Sequence, residues 1–244
     1  MKISARTDIG QKRQMNQDCY NFGKVEGCNI CWAVVCDGMG GMAAGNVASE
    51  LVVDVISRSY SDNLNSKSSP SFINNLIKNS VNAANAAVYD MSKSKPSLKG
   101  MGTTVVTVVV LDSVAYFAHA GDSRAYLYQN DELTQVTTDH SIVQSMVDTG
   151  QITEDEAKNH PNKNIITRAV GVNSNLDVDF ETAQLCPNDI ILLCTDGLTN
   201  CVDHETIFKT VKESKFKDIS EHLVNIANKN GGSDNITVVA LCSE

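Results

Sequence analysis

Between Thr103 and Val136 the chain strings β-type runs together with little room between them. Thr103 to Leu111 is dominated by Val and Thr, and Val114 to His119, Ala125 to Tyr128 and Leu133 to Val136 follow at short intervals. The breaks are built around Asp112-Ser113, Gly121-Asp122 and Gln129-Asn130-Asp131, all turn-forming residues. A parallel crossover needs a dozen or more residues. Runs this close must fold back on themselves as antiparallel hairpins.

Three further runs read as strands: Ile30 to Cys36 and Ile190 to Cys194, apolar throughout, and Ile236 to Cys242 at the end of the chain. The helical patterns lie outside this β centre. Asn46 to Tyr60 carries Val47, Leu51, Val55 and Ile56 at helical spacing. The Ser/Asn-rich stretch Ser57 to Ser71 reads as a surface connection, with Ser71 as the cap of a second helix whose face is Ile73, Leu76, Ile77, Val81, Ala84 and Val88. Thr153 with Glu156 has the capping-box spacing. Val202 to Val211 and Ile219 to Asn228 read as two more helices, the latter ended by Gly231-Gly232. Helices in pairs around an antiparallel centre predict an α+β class, not a doubly wound parallel sheet.

A length of 244 residues suits one large domain or two small ones. The net charge of −9 argues against nucleic acid as a partner, because a phosphate backbone demands basic patches. The eight cysteines, at 19, 28, 31, 36, 186, 194, 201 and 242, are irregularly spaced. Cys28 and Cys31 form a lone CxxC with no second pair to complete a zinc site. Reduced thiols and the lack of a long apolar run predict a cytoplasmic protein that does not enter a membrane.

Aspartates recur in one kind of place. Asp37 and Asp196 each end an apolar run and precede glycine, Asp122 sits in a Gly-Asp turn, and Asp234 lies in Gly231-Gly232-Ser233-Asp234-Asn235 just before the last strand. Asp18 lies near the start. Carboxylates gathered at one sheet rim repel one another unless cations neutralise them, and all-oxygen sets suit magnesium or manganese. In Asp37-Gly38-Met39-Gly40-Gly41 the missing side chains let a backbone carbonyl approach an ion. Arg13 offers a planar fork that matches phosphate oxygens.

The motifs Arg13-x-x-Asn16-Gln17-Asp18, Asp37-Gly38-Met39-Gly40-Gly41, Gly102-Thr103-Thr104, Gly121-Asp122-Ser123-Arg124, Asp139-His140-Ser141, Ile166-Thr167-Arg168-Ala169-Val170-Gly171, Thr195-Asp196-Gly197 and Ser233-Asp234-Asn235 occur in this order. From about Ala5 to Leu241 the chain thus resembles the PPM/PP2C family of metal-dependent serine/threonine phosphatases, in its bacterial single-domain form. The resemblance implies a single-domain, four-layer αββα sandwich of two antiparallel sheets, each covered by a helix pair. It implies two Mn²⁺ or Mg²⁺ ions, with Asp37 bridging both, Asp196 and Asp234 holding one, the Gly38 carbonyl holding the other and Asp18 acting through water. Asp122 matches the ligand of a third ion in bacterial members. Arg13 matches the phosphate clamp, and about 141–168 matches a flap beside the active site. The implied reaction is in-line attack on phosphorus by a bridging hydroxide, because a pair of cations drives the pKa of a shared water down towards about 7. Phosphorylated proteins, a cognate Ser/Thr kinase and a monomeric state complete the expectation.

Many bacterial relatives carry histidine where this chain has Met42, and glutamate is common where it has Asn46. Methionine cannot donate a proton, so Met42 leaves the leaving oxygen to another donor, with His140 or a metal-bound water as candidates. His119, in an apolar strand, reads as a core histidine. A binding module of the same fold would have lost metal ligands, whereas Asp37, Asp196 and Asp234 are all present. An aspartyl-phosphate enzyme would need a DxD motif where this chain has Asp37-Gly38-Met39.

Overall fold

A computed structural model describes residues 1–40 and 44–244. Met42 lies outside the described residues.

Two antiparallel sheets face one another. The first has the strand order β1 (Lys2–Asp8), β11 (Ile236–Cys242), β10 (Ile190–Cys194), β7 (Arg124–Gln129), β8 (Glu132–Gln135). The second runs β2 (Asp18–Val25), β3 (Ile30–Met39), β5 (Val105–Leu111), β6 (Val114–Ala120), β9 (Asp179–Gln184), with the short β4 (Gly102–Thr103) on the end of β3. Helices α1 (Ala44–Asn63) and α2 (Pro70–Ser94) cover the second sheet. Helices α5 (Asp196–Thr199), α6 (His204–Glu213) and α7 (Ile219–Lys229) cover the first. Helices α3 (Ile142–Asp148) and α4 (Glu154–Lys158) belong to a segment between β8 and β9.

The layers follow from strand alternation. Along β3, Ile30, Trp32, Val34 and Cys36 pack under α1 and α2, while Cys31, Ala33 and Val35 point between the sheets. Along β10, Leu192 and Cys194 face the helices, and Ile191 and Leu193 meet the other sheet. A strand buried on both faces must be apolar at every position, which is why these runs show no visible period of two.

The hairpins are present as expected, and so are the α+β class and the αββα layering. Several boundaries differ. Helix α1 runs through Asn63, so much of the Ser57–Ser71 stretch is helical; Ser57 and Tyr60 are buried in it. Ser69, not Ser71, caps α2, accepting from Phe72 N, and Pro70 takes the first helical position where no N–H is needed. Strand β3 continues through Asp37 and Gly38 to Met39. The run from Thr103 breaks at Thr104, because Thr103 pairs with Gly38 and Val170 while Val105 onward pairs with β6 and, from Val106, with β3. Strands β1, β2 and β9 carry weak signals: each is half-exposed and rich in polar residues. Residues 141–168 are less helical than expected. They hold only α3 and α4, the latter with the predicted Thr153–Glu156 capping box.

Cys31 is buried and desolvation pushes its thiol up to about 12, while Cys28 Sγ faces the Val25 carbonyl at 3.6 Å. Neither is arranged as a metal ligand.

Candidate active site

Antiparallel pairing places the starts and ends of many strands at one end of the sandwich. Asp18 opens β2 directly opposite Asp37 near the end of β3. Asp122 lies between β6 and β7, Asp196 follows β10 and Asp234 precedes β11. The register of β10 with β7 and β11 brings Cys194 beside Arg124 and Val238, so these three rims coincide. The result is an open cavity of about 420 Å³ lined by Arg13, Asp37, Gly38, Asp122, Asp196 and Asp234, together with Gln17, Met39, Gly40, Thr104, Asn164, Ile166 and Asn235.

Seven of the eight sequence motifs build this cavity or its walls. Thr104 Oγ1 accepts from Asp37 N at 2.9 Å and meets Ser123 Oγ at 2.7 Å; Thr103 Oγ1 donates to the Asp37 carbonyl at 2.8 Å. The Gly102-Thr103-Thr104 and Gly121-Asp122-Ser123-Arg124 motifs therefore hold the backbone of Asp37. Asn200 Nδ2 donates to Asp196 Oδ2 at 2.9 Å. A Cβ on Gly38 would stand 2.1 Å from the Gly45 carbonyl oxygen and 2.8 Å from that of Gln17, so β3 and α1 meet at a spacing only glycine permits.

Asp18 does not reach the cavity wall. It stands behind Asp37, its Oδ2 accepting from Thr237 Oγ1 at 2.7 Å and Thr195 Oγ1 at 2.9 Å. Arg13 reaches across the opening from the other side, its Nη2 donating to Asp234 Oδ2 at 2.6 Å.

The electrostatics of this cluster are lopsided. Withdrawal from solvent, reinforced by neighbouring aspartates, pushes the Asp18 and Asp122 carboxyls up to about 7. The same causes push Asp37 well above the carboxylate range and raise Asp196. Asp18 Oδ1 and Asp196 Oδ1 are shielded from solvent and have no hydrogen-bond partner among the described residues. Orphaned oxygens in a crowd of carboxylates fit a divalent cation, which would neutralise the charge and occupy the free lone pairs. The donors are all oxygen, as Mg²⁺ and Mn²⁺ prefer. Their spacing is wide: among the described residues no three of these aspartates bring ligand atoms within 4.8 Å of one another. A wide set suits ions that keep several waters.

The one tight triad among the described residues lies elsewhere, at His119, His140 and Asp179. Arg168 already supplies its cation, with Nη1 2.5 Å from Asp179 Oδ1 and 3.0 Å from His140 Nε2. His140 does not line the cavity. Its Nδ1 accepts from Gly121 N at 3.2 Å, and its Nε2 faces Asp179 Oδ2 at 3.2 Å. This corrects its candidacy as proton donor to the leaving oxygen: it is off the cavity wall and both ring nitrogens are engaged, with Gly121 N and with Asp179 and Arg168. His119 is a core histidine, 2% exposed, bonded through Nε2 to Thr138 O at 2.8 Å and stacked on His140.

Sequence reasoning missed Thr195, Thr237 and Asn235, whose side chains hold Asp18 and the Arg13 loop. Thr195 and Asn235 lay inside recognised motifs; Thr237 lay in a strand with nothing to mark it. Residues 141–168 close at their root through a bridge between Ser141 and Ile166, with Ile142 N donating to Ile165 O at 2.9 Å. Asn164 and Ile166 from this segment form part of the cavity wall.

Comparison with known proteins agrees with this geometry. The family model for protein phosphatase 2C matches residues 9–239. Serine/threonine phosphatase stp of Listeria monocytogenes is 38% identical over 98% of this chain and 94% of its own length. Protein phosphatase PhpP of Streptococcus pneumoniae is 37% identical over 98% of this chain and 96% of its own. The serine/threonine phosphatase of S. agalactiae superposes with a TM-score of 0.92 at 36% identity, covering 100% of this chain and 99% of that one. The catalytic domain of the serine/threonine phosphatase PstP, solved with two manganese ions, superposes with a TM-score of 0.87 at 32% identity, covering 100% of this chain and 98% of that one. With its eight motifs in order and a fold that gathers their aspartates at one rim, this chain belongs to the protein phosphatase 2C family.

Proposed function

We infer that this chain is a metal-dependent hydrolase of phosphoserine and phosphothreonine in proteins. The observation that carries this reading is the acidic cavity itself: carboxylates from four separate stretches of chain face a single arginine, and both Asp196 on its wall and Asp18 outside the wall, opposite Asp37, carry an orphaned oxygen. Asp37, Asp196, Asp234 and the Gly38 carbonyl would hold two ions, manganese or magnesium. Asp18 would act through water, and Asp122 would contribute to a third ion. Bound there, divalent cations supply a water acidic enough to serve as nucleophile and positive charge for the phosphoryl oxygens.

The chain's own residues do the rest. Thr103, Thr104 and Ser123 fix Asp37, so its carboxylate need not reorganise as charge shifts. The Arg13 guanidinium, half-exposed at the opening and bonded to Asp234, is placed to exchange part of that contact for phosphate oxygens. Residues 141–168 stand as a flap, with Asn164 and Ile166 positioned to touch the protein part of the substrate. Among the described residues lining the cavity, the titratable side chains are the aspartates and Arg13. An alkoxide leaving group therefore finds no histidine or lysine there.

The substrates require a Ser/Thr kinase to make them, and we assign the protein to the cytoplasm as a monomer. Its cysteines are free thiols, and among the described residues no helix is long and apolar enough to cross a membrane.

The test is a manganese titration of phosphate release from a phosphothreonine peptide, with Asp37→Asn and Asp196→Asn alongside. Release should saturate with metal, and each variant should lose about 10²–10³-fold in kcat. Metal-independent release, or full activity in both variants, would sink the reading.

A further inference from the structure

Asn235 is 3% exposed, immediately follows Asp234, and spends its side chain on none of its strand neighbours. Its Oδ1 accepts from Gln17 N at 2.8 Å, and its Nδ2 donates to Ile9 O at 2.9 Å and Met15 O at 3.0 Å. These backbone positions lie on both sides of Arg13. Residues 11–15 between them are exposed and belong to no helix or strand. Against the same turn, Gly10 sits at φ +79°, where a Cβ would stand 2.1 Å from the Asp234 carbonyl oxygen. The loop is thus pressed onto the Asp234 turn and pinned at both ends by one amide.

We propose that Asn235 is the positioning residue for Arg13, tying both ends of its loop to the backbone beside Asp234 so that the guanidinium stands over the cavity. This rests on the reading that Arg13 binds the phosphoryl oxygens. An amide suits the task because one end must accept from an N–H while the other donates twice to carbonyls. Aspartate, nearly the same shape, would keep the bond to Gln17 N and set a second oxygen against the Ile9 and Met15 carbonyls. Alanine would leave the Gln17 N–H and both carbonyls without this partner in a place water reaches poorly.

The test uses the full chain at saturating manganese, measuring kcat and KM for a phosphothreonine peptide and inhibition by inorganic phosphate. A lost hydrogen bond to a charged group is worth about 1.5–3 kcal/mol, so Arg13→Ala should raise KM and the phosphate inhibition constant about 10- to 100-fold. Asn235→Ala should raise the same two constants about tenfold, on the scale of a mislaid charged contact, with the manganese half-saturation concentration unchanged. The double variant should be no worse than Arg13→Ala alone, because a mispositioned arginine and a missing one fail at the same contact. Effects that multiply in the double variant, a shifted manganese requirement, or lower thermal stability with unchanged KM would each overturn the proposal. An inert Arg13→Ala would instead overturn the reading of Arg13 on which it rests. If Asn235→Ala does not fold, Asn235→Asp carries the test and should move KM and phosphate inhibition in the same direction. Wild-type constants in a folded Asn235→Asp, or failure of both variants to fold, would leave Asn235 a role in the fold alone and overturn the proposal.

Discussion

Two polar clusters share one end of the sandwich and are built on opposite principles. At the root of the 141–168 segment every acid meets a base. Arg124 grips Asp139 in a two-point fork at 2.7 and 2.8 Å, and Asp179 receives Arg168 and His140. In the cavity, four aspartates share Arg13, whose ion-pair partner among the described residues is Asp234. The titration behaviour divides accordingly. Withdrawal from solvent raises Asp179, yet the hydrogen bonds from His140 and Arg168 bring it below the usual carboxylate range. Asp122, only a short turn from Arg124, is pushed up to about 7 by withdrawal from solvent and by Asp196. The same residue type is thus settled in one cluster and frustrated in the other. Frustration that the chain does not relieve itself marks the place where a cation belongs.

The comparison breaks most readily at Asp37. Asp37→Asn should cost about 10³-fold in hydrolysis while raising the melting temperature of the metal-free protein, because an amide suffers no repulsion from its neighbours. Calorimetry in chelator checks the second half, and a lower melting temperature would contradict the contrast. At the root the opposite is expected. Arg124→Ala strands Asp139, which is largely covered, and should cost about 2–4 kcal/mol of stability, with a loss of activity far smaller than that of Asp37→Asn.

The third expectation concerns pH. Asp18 and Asp122 hold protons to about pH 7 in the folded chain, whereas an unfolded carboxyl releases its proton near pH 4. Between those values the unfolded state binds fewer protons, so these groups erode the stability of the metal-free protein as pH rises from about 4 to 7. Manganese should reverse this. At a concentration of about 100 times the dissociation constant it adds about 2.7 kcal/mol, or about 5–10 °C, and the gain over chelator should be larger at pH 8 than at pH 5. An equal gain at both would show that these carboxylates do not meet the metal.

The smallest effect concerns Met42. With no histidine or lysine among the described residues of the cavity wall, alkyl phosphates should be poorer substrates than aryl phosphates, whose phenolates leave without a proton. Met42→His should favour the phosphothreonine peptide over an aryl phosphate by about 10²-fold at the low end of general acid catalysis. Equal gains on both, or none, would remove Met42 from the account.

Much of the site was legible because it is made of short contiguous motifs at strand ends. Asp37-Gly38 and Thr195-Asp196-Gly197 announce themselves where an apolar run stops. Strands β1, β2 and β9 are not legible in the sequence because they are half-exposed, so their polar residues hide the alternation. The Ser/Asn-rich end of α1 has the composition of a loop yet is helical, because propensity is a weak prior against the burial of Tyr60. His140 reads as an available acid in the sequence because a sequence shows a ring without showing which partners hold its two nitrogens.

Local sequence sets which residue types exist to do chemistry, where strands stop, and that the β centre folds back on itself; short gaps and apolar runs impose these. Long-range packing sets that Asp18 is held on two threonine hydroxyls opposite Asp37, that His119 and His140 stay off the cavity wall, and that one asparagine near the C-terminus pins the loop of Arg13 near the N-terminus. Such pairings span up to 226 residues. They are set by strand register and sheet packing, which no local pattern encodes.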